Sequence, residues 1–186
     1  MHFLPKPKKL TETNGEFFVE SGIRIVSESE GLKTSTGWAL PKVLRDELLC
    51  YAGVEATLTA GTADKGDISL RLVNALPPQS YVLSITEEQI EILGRDRAGV
   101  GYGIQTLCQI IRNKGALLPA LRIEDKPDIP ARGFYMDQAR GRSFKLDTIK
   151  KQIDLLSRYK LNQYQLYIEQ SFAFRGFSEM WREDSV

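Results

Sequence analysis

One histidine is all that the 186 residues contain, and it stands at position 2. That scarcity removes any Ser/His/Asp or Cys/His catalytic arrangement and any zinc site built on imidazole. Cysteine is nearly absent too. Cys50 and Cys108 fall in predicted helices without metal-like spacing, so two buried reduced thiols is the expected reading. No apolar run approaches the roughly 18 residues of a membrane span, and membrane insertion is not expected. An excess of one charge is missing as well. Twenty-five basic side chains face 24 acidic ones, and beyond Lys6 to Lys9 no block of like charge occurs, so nothing builds the basic field that nucleic acid needs. The start, MHFLPKPKKL, lacks the apolar stretch of a signal peptide, so the sequence carries no export address as it stands. A leader removed ahead of Met1 would instead place the protein in the periplasm or outside the cell.

What is present is ordinary for a globular protein, with 42% hydrophobic and 26% charged residues, long enough for one core or for a domain plus part of another. Leu4-Pro5-Lys6-Pro7 is an extended lead-in. Asn14-Gly15 predicts a turn, followed by short strands at Phe17 to Glu20 and Ile23 to Val26. From about Thr36 to Ala52 the pattern is helical, with Trp38, Val43, Leu44, Leu48 and Tyr51 on one face; Pro41 fits only its first turn, and Gly53 ends it. Strands are expected at Val54 to Thr59, Ile68 to Leu72, Tyr81 to Ile85 and Gln89 to Leu93, the last two as a hairpin. A second helix is expected from about Gly99 to Ile111. The first 125 residues or so therefore read as an α+β domain, a mixed sheet with two helices on one face.

Gly99, Gly101 and Gly103 invite a phosphate-loop reading, since clustered glycines ahead of a helix can aim amides at an anion. The spacing is not G-x-G-x-x-G and no Lys-Ser/Thr follows. Close packing of a helix on a sheet, together with a tight turn, accounts for these glycines more simply.

The last third is the most informative. Phe134-Tyr135-Met136 is an apolar run ending in Asp137, and Gln163 to Ile168 alternates polar residues with Tyr164, Leu166 and Ile168. Between them Asp147 is a natural N-cap, and Ile149, Ile153 and Leu156 share one helical face. Strand, helix and strand make a βαβ unit with parallel strands, whose chemistry belongs at the strands' C-terminal ends: Asp137-Gln138-Ala139-Arg140 and Glu169-Gln170.

RGFYMDQAR, a helix of this length and KLNQYQLYIE resemble the opening of the catalytic barrel of glycoside hydrolase family 20, the β-N-acetylhexosaminidases. Upstream, YGIQTLCQII and the stretch from Leu117 to Pro127 resemble the helix of that family's small domain and its connector into the barrel. The resemblance implies an α+β non-catalytic domain over 1–126, with the turn Asp125-Lys126-Pro127-Asp128 as boundary, and the start of a catalytic (β/α)8 barrel over 127–186. A complete barrel takes about 250 residues. The chain therefore reads as truncated inside its catalytic domain, and the open fragment is expected to pack back on the small domain, to pair with a second copy as a homo-oligomer, or to be poorly ordered.

What the resemblance implies for function is removal of terminal β-linked N-acetylhexosamine, GlcNAc or GalNAc, from glycans by substrate-assisted retaining hydrolysis, with no cofactor. The family's acid is a Glu directly preceded by Asp on a later strand. No such pair sits at a suitable strand end here, so no catalytic residue is assigned and the fragment itself is expected to be inactive. The substrate-binding candidates are Arg140, Glu169 and Asp137. Arg140 matches the arginine that grips the hydroxyls of the terminal sugar, and a planar fork of donors past a strand end suits a vicinal diol. A salt bridge to Asp137 or Glu169 is its competing reading, and Asp137 reads as the organiser of that arginine. Glu169 falls near the family's sugar-binding Asp, where the usual His-x-His-Leu-x-Asp-Asp run reads Gln165-Leu166-Tyr167-Ile168-Glu169-Gln170, a divergent branch. Phe172, Phe174, Phe177 and Trp181 offer faces for a pyranose or for packing. The competing class is a non-catalytic carbohydrate-binding or scaffold module.

Overall fold

The computed structural model describes residues 2–32, 39–141, 143–168 and 176. They form two compact units, 1–130 and 131–186.

The first unit is built on one seven-stranded sheet in the order β1-β7-β5-β6-β4-β2-β3. Its strands are β1 (Lys9–Phe18), β2 (Arg24–Ser27), β3 (Thr57–Ala60), β4 (Ile68–Leu72), β5 (Tyr81–Ile85), β6 (Ile90–Gly94) and β7 (Leu117–Asp125). The half running from β6 to β3 is parallel and the half from β1 to β6 antiparallel. Helix α1 (Ala39–Ala52) packs on β2 and β3, α2 (Arg97–Lys114) on β4 to β7, and the two helices pack on each other, so both lie on one face. The alternation of β4, β5 and β6 explains why. Ile25, Ile68, Ile90 and Ile85 are register partners across four strands, as are Leu70, Ile92 and Leu83 across three, and all are fully buried beneath the helices. Each such side chain removed from water contributes roughly 1.5–3 kcal/mol.

Four expectations for this unit need correcting. Of the two thiols expected to be buried, Cys108 is buried and Cys50 is exposed. Leu117 to Asp125 is no mere connector: it is a nine-residue strand placed between β1 and β5. Pro119 is tolerated because it faces an irregularity, where β1 advances from Glu12 to Glu16 while β7 advances only from Leu121 to Pro119. That irregularity is also the fate of Asn14-Gly15. Instead of reversing the chain, Gly15 takes φ 105° inside a long strand, a conformation that suits glycine. On α1, Leu44 and Leu48 are buried as expected, but Val43 and Tyr51 are exposed; Tyr51 lies beneath the Arg112 guanidinium, 5.7 Å from its ring centroid. Trp38 lies outside the described residues.

The glycine-rich start of α2 is a packing device. A Cβ on Gly99 would stand 2.1 Å from the backbone oxygen of Ser80, and one on Gly103 2.5 Å from Cγ2 of Ile92. The amides that an anion would need are occupied. The N-cap Asp96 accepts from Gly99 N through Oδ1 at 2.8 Å, and its backbone oxygen accepts from Val100 N at 3.0 Å. Its Oδ2 accepts from Gln79 N at 2.8 Å, so one carboxylate ties the helix start to the loop before β5. Asp96→Ala loses the cap and a second charged hydrogen bond, for about 2 kcal/mol less stability in denaturant unfolding, with Asp96→Asn losing about half of that.

The second unit holds β8 (Gly133–Asp137), α3 (Leu146–Arg158) and β9 (Gln163–Tyr167), with β8 and β9 parallel and Asp137 opposite Tyr167. Its motif residues meet at the strands' N-terminal ends. Arg132 donates through Nε and Nη2 to the carbonyl of Lys160 at 3.0 and 2.7 Å, and Asn162 accepts from Arg132 N at 2.9 Å. Gly133 lets the strands approach where a Cβ would lie 2.7 Å from that of Gln163. RG and KLN are thus one structural clamp. Asp147 is not the cap of α3: the N-cap is Lys145, without a side-chain hydrogen bond, and Asp147 lies in the first turn, where its charge suits the helix dipole. Ile149 and Leu156 are half-buried, whereas Ile153, Phe134, Tyr135 and Leu166 are exposed, and no residue of α3 is buried.

Candidate functional site

A second set of polar groups, separate from the clamp, stands at the C-terminal end of β8. β8 stops at Asp137 because that carboxylate turns the chain: Oδ1 accepts from Ala139 N at 2.9 Å and from Arg140 N at 3.0 Å. Such an Asx turn replaces ladder hydrogen bonds with local ones. The other oxygen, Oδ2, accepts from Arg140 Nε at 2.9 Å. Partial burial raises the Asp137 pKa, but the two backbone amides and the guanidinium outweigh it and hold the carboxyl below the ordinary Asp value.

Asp137 engages Arg140 at Nε, the nitrogen nearest the stem. The guanidinium carbon lies 5.1 Å from the centroid of Tyr167, the last residue of β9, while the side chain is 69% exposed. An arginine stacked on an aromatic ring and oriented from behind by a carboxylate presents a planar set of donors with little further ordering to lose. Tyr167 in turn packs against Tyr135 at 5.9 Å between centroids.

The structure thus brings Arg140 and Asp137 together. Glu169 and the aromatics Phe172, Phe174, Phe177 and Trp181 lie outside the described residues. Tyr167 was missed as a site residue by sequence reasoning. The available signal was parity, since with Asp137 opposite Tyr167 the two side chains share a face of the parallel pair. Gln138 was placed at the polar strand end but given no role of its own.

Ionic clusters elsewhere tie elements together. Arg24 donates from Nε to Asp67 Oδ1 at 2.9 Å and from Nη2 to Asp64 Oδ2 at 2.6 Å, and also pairs through Nη2 with Asp67 Oδ2; this joins β2 to the loop before β4. The one Asp-Glu dipeptide of the sequence, Asp46-Glu47, lies on α1, where Arg112 of α2 donates to both oxygens of Glu47 at 2.7 Å. A cavity of about 400 Å³ is lined in part by Lys8, Tyr81, Asp125 and Lys126. There the Tyr81 hydroxyl contacts Thr106 Oγ1 at 2.6 Å and donates to Asp125 Oδ2 at 3.1 Å; burial and that carboxylate push its pKa far up, so it stays neutral. Among the described residues no group of three or more His, Cys, Asp or Glu could hold a metal ion, and no helix is long and apolar enough to cross a membrane.

Known proteins resemble this chain over most of its length. The family described as "Glycosyl hydrolase family 20, domain 2" matches residues 1–126. A β-hexosaminidase of Porphyromonas gingivalis is 28% identical over 187 residues, covering 94% of this chain and 23% of the relative. A β-N-acetylhexosaminidase of Cellulomonas fimi is 33% identical over 181 residues, covering 92% and 35%. Among solved structures, the N-acetyl-β-hexosaminidase of Streptomyces plicatus in complex with Thio-NAglucal superposes with a TM-score of 0.78 at 25% identity, over 90% of this chain and 34% of that one. The chain spans between about a fifth and a third of the length of the curated relatives it matches first.

Proposed function

Since this chain belongs to glycoside hydrolase family 20, we propose that the complete protein removes terminal β-linked N-acetylhexosamine from glycans, and that residues 1–186 supply its non-catalytic domain, 1–126, and the first βαβ unit of its barrel, 127–186. The observation that carries the reading is the pairing of Asp137 and Arg140 at the C-terminal end of a strand parallel to its neighbour, where the chemistry of such barrels collects.

In this reading Arg140 grips two adjacent hydroxyls of the terminal sugar, Asp137 sets its orientation, and Glu169 accepts from a further hydroxyl. A bound sugar is thereby held with its 2-acetamido group poised over the anomeric carbon. The acetamido carbonyl oxygen attacks that carbon, the bond to the leaving oxygen breaks, and a carboxylic acid protonates the leaving oxygen. Water then opens the cyclised intermediate with retained configuration. The family resemblance places the acid on a later strand, so residues 1–186 alone are expected to be inactive.

The complete protein should hydrolyse an aryl N-acetyl-β-glucosaminide and be inhibited by a thiazoline mimic of the cyclised intermediate. Sugar binding without turnover by the complete protein would reject the enzymatic reading in favour of a non-catalytic carbohydrate-binding module.

A further inference from the structure

Gln138 stands between Asp137 and Arg140 and fastens the turn that carries them. Its backbone N–H donates to the carbonyl of Tyr167 at 2.8 Å, which ties the turn to the end of β9. Its own carbonyl accepts from Ser143 Oγ at 3.1 Å, and its side-chain Oε1 accepts from Phe144 N at 2.8 Å. The fourth group, Nε2, is buried with no hydrogen-bond partner among the described residues. An apolar side chain of the same shape would leave Phe144 N without its acceptor.

We propose that Gln138 is a positioning residue for sugar recognition: its side-chain oxygen closes the turn after β8 onto Phe144 and thereby keeps Arg140 stacked on Tyr167. The inference rests on the reading of Arg140 as the sugar-gripping residue. Asp137 fixes the backbone only as far as Arg140 N. Immediately beyond it Gly141 takes φ 80°, in a region where glycine has freedom that other residues lack. The bonds from Gln138 to Ser143 and Phe144 are what close the far side of the turn. Without them the arginine would sample positions away from Tyr167, and each binding event would have to re-order it.

The test is a double-mutant cycle in the complete protein, with an aryl N-acetyl-β-glucosaminide as substrate. Gln138→Met keeps the shape and removes the hydrogen bond to Phe144 N. We expect KM to rise about ten-fold, the scale of re-ordering one long side chain, with kcat within about two-fold and thermal unfolding little changed. In an Arg140→Ala background the same change should move KM by less than about two-fold, because Gln138 acts through the arginine. If Gln138→Met fails to fold, Ser143→Ala, which cuts the parallel bond, should raise KM about three-fold in the Arg140 background only. An unchanged KM for the folded position-138 variant, or an equal rise in both backgrounds, overturns the inference. Arg140→Ala tells the failures apart: if it weakens recognition while Gln138→Met does not, only the role of Gln138 falls, and if Arg140→Ala itself has no effect, the reading of Arg140 falls with it.

Discussion

Replacing Arg140 by alanine should lower kcat/KM of the complete protein about 100-fold on an aryl N-acetyl-β-glucosaminide. The estimate follows from losing a pair of charge-assisted hydrogen bonds to the sugar, about 3 kcal/mol together, at roughly 1.4 kcal/mol per factor of ten. Arg140→Lys should recover little, because a point charge on a flexible stem neither spans a diol nor stacks on Tyr167 as a plane. The competing reading, in which Arg140 only neutralises Asp137, predicts a different pattern. A surface pair of this exposure, screened by solvent, contributes little to stability. Steady-state kinetics beside thermal unfolding separates them: unchanged kcat/KM with a slightly lower Tm would leave Arg140 a structural residue.

The second large effect is expected at Gly99. Alanine there would place a methyl group 2.1 Å from a backbone oxygen, so α2 must shift bodily on the sheet. Overpacking of this kind costs about 3 kcal/mol, more than the ~1 kcal/mol gained by replacing glycine inside a helix. The first unit should then melt roughly 5–10 °C lower in calorimetry. Gly101 supplies the internal control. Its added Cβ would meet only the mobile end of Leu40, at 3.2 Å, so Gly101→Ala should be neutral or stabilise by up to about 1 kcal/mol. Equal effects at the two positions would mean that close backbone approach is not what these glycines provide.

How much of this was legible in the sequence differs by element. β4 and β5 could be delimited to the residue from their apolar residues, although burial does not alternate: the first three residues of each strand are buried on both faces. α2 could be located but not bounded, since its true start is set by Asp96, three residues before the first glycine of the cluster and outside the apolar periodicity. β7 was hidden by Pro119 and by adjacent Leu117-Leu118 and Ala120-Leu121, which break the two-residue period; only the irregular pairing with β1 makes room for them. At the candidate site, Asp137 and Arg140 were singled out by the resemblance of RGFYMDQAR to the family's motif and by their place at the C-terminal end of an expected strand. Tyr167 and Gln138 were not, because a tyrosine in a strand and a glutamine in a turn are commonplace, and only the register across β8 and β9 reveals what they face.

The pairing of β1 with β7 also governs how the first unit comes together. Lys9 and Glu124 are partners 115 positions apart, so the first strand of this domain to be made waits for one made near the domain's end. Closing a loop of that length is entropically costly, and topologies dominated by such distant contacts fold slowly. Until β7 emerges, Leu10 and Phe17 have no ladder to join. Along this sheet the first strand made is therefore the last to be matched, and it stays unmatched until the final strand of its domain has been made.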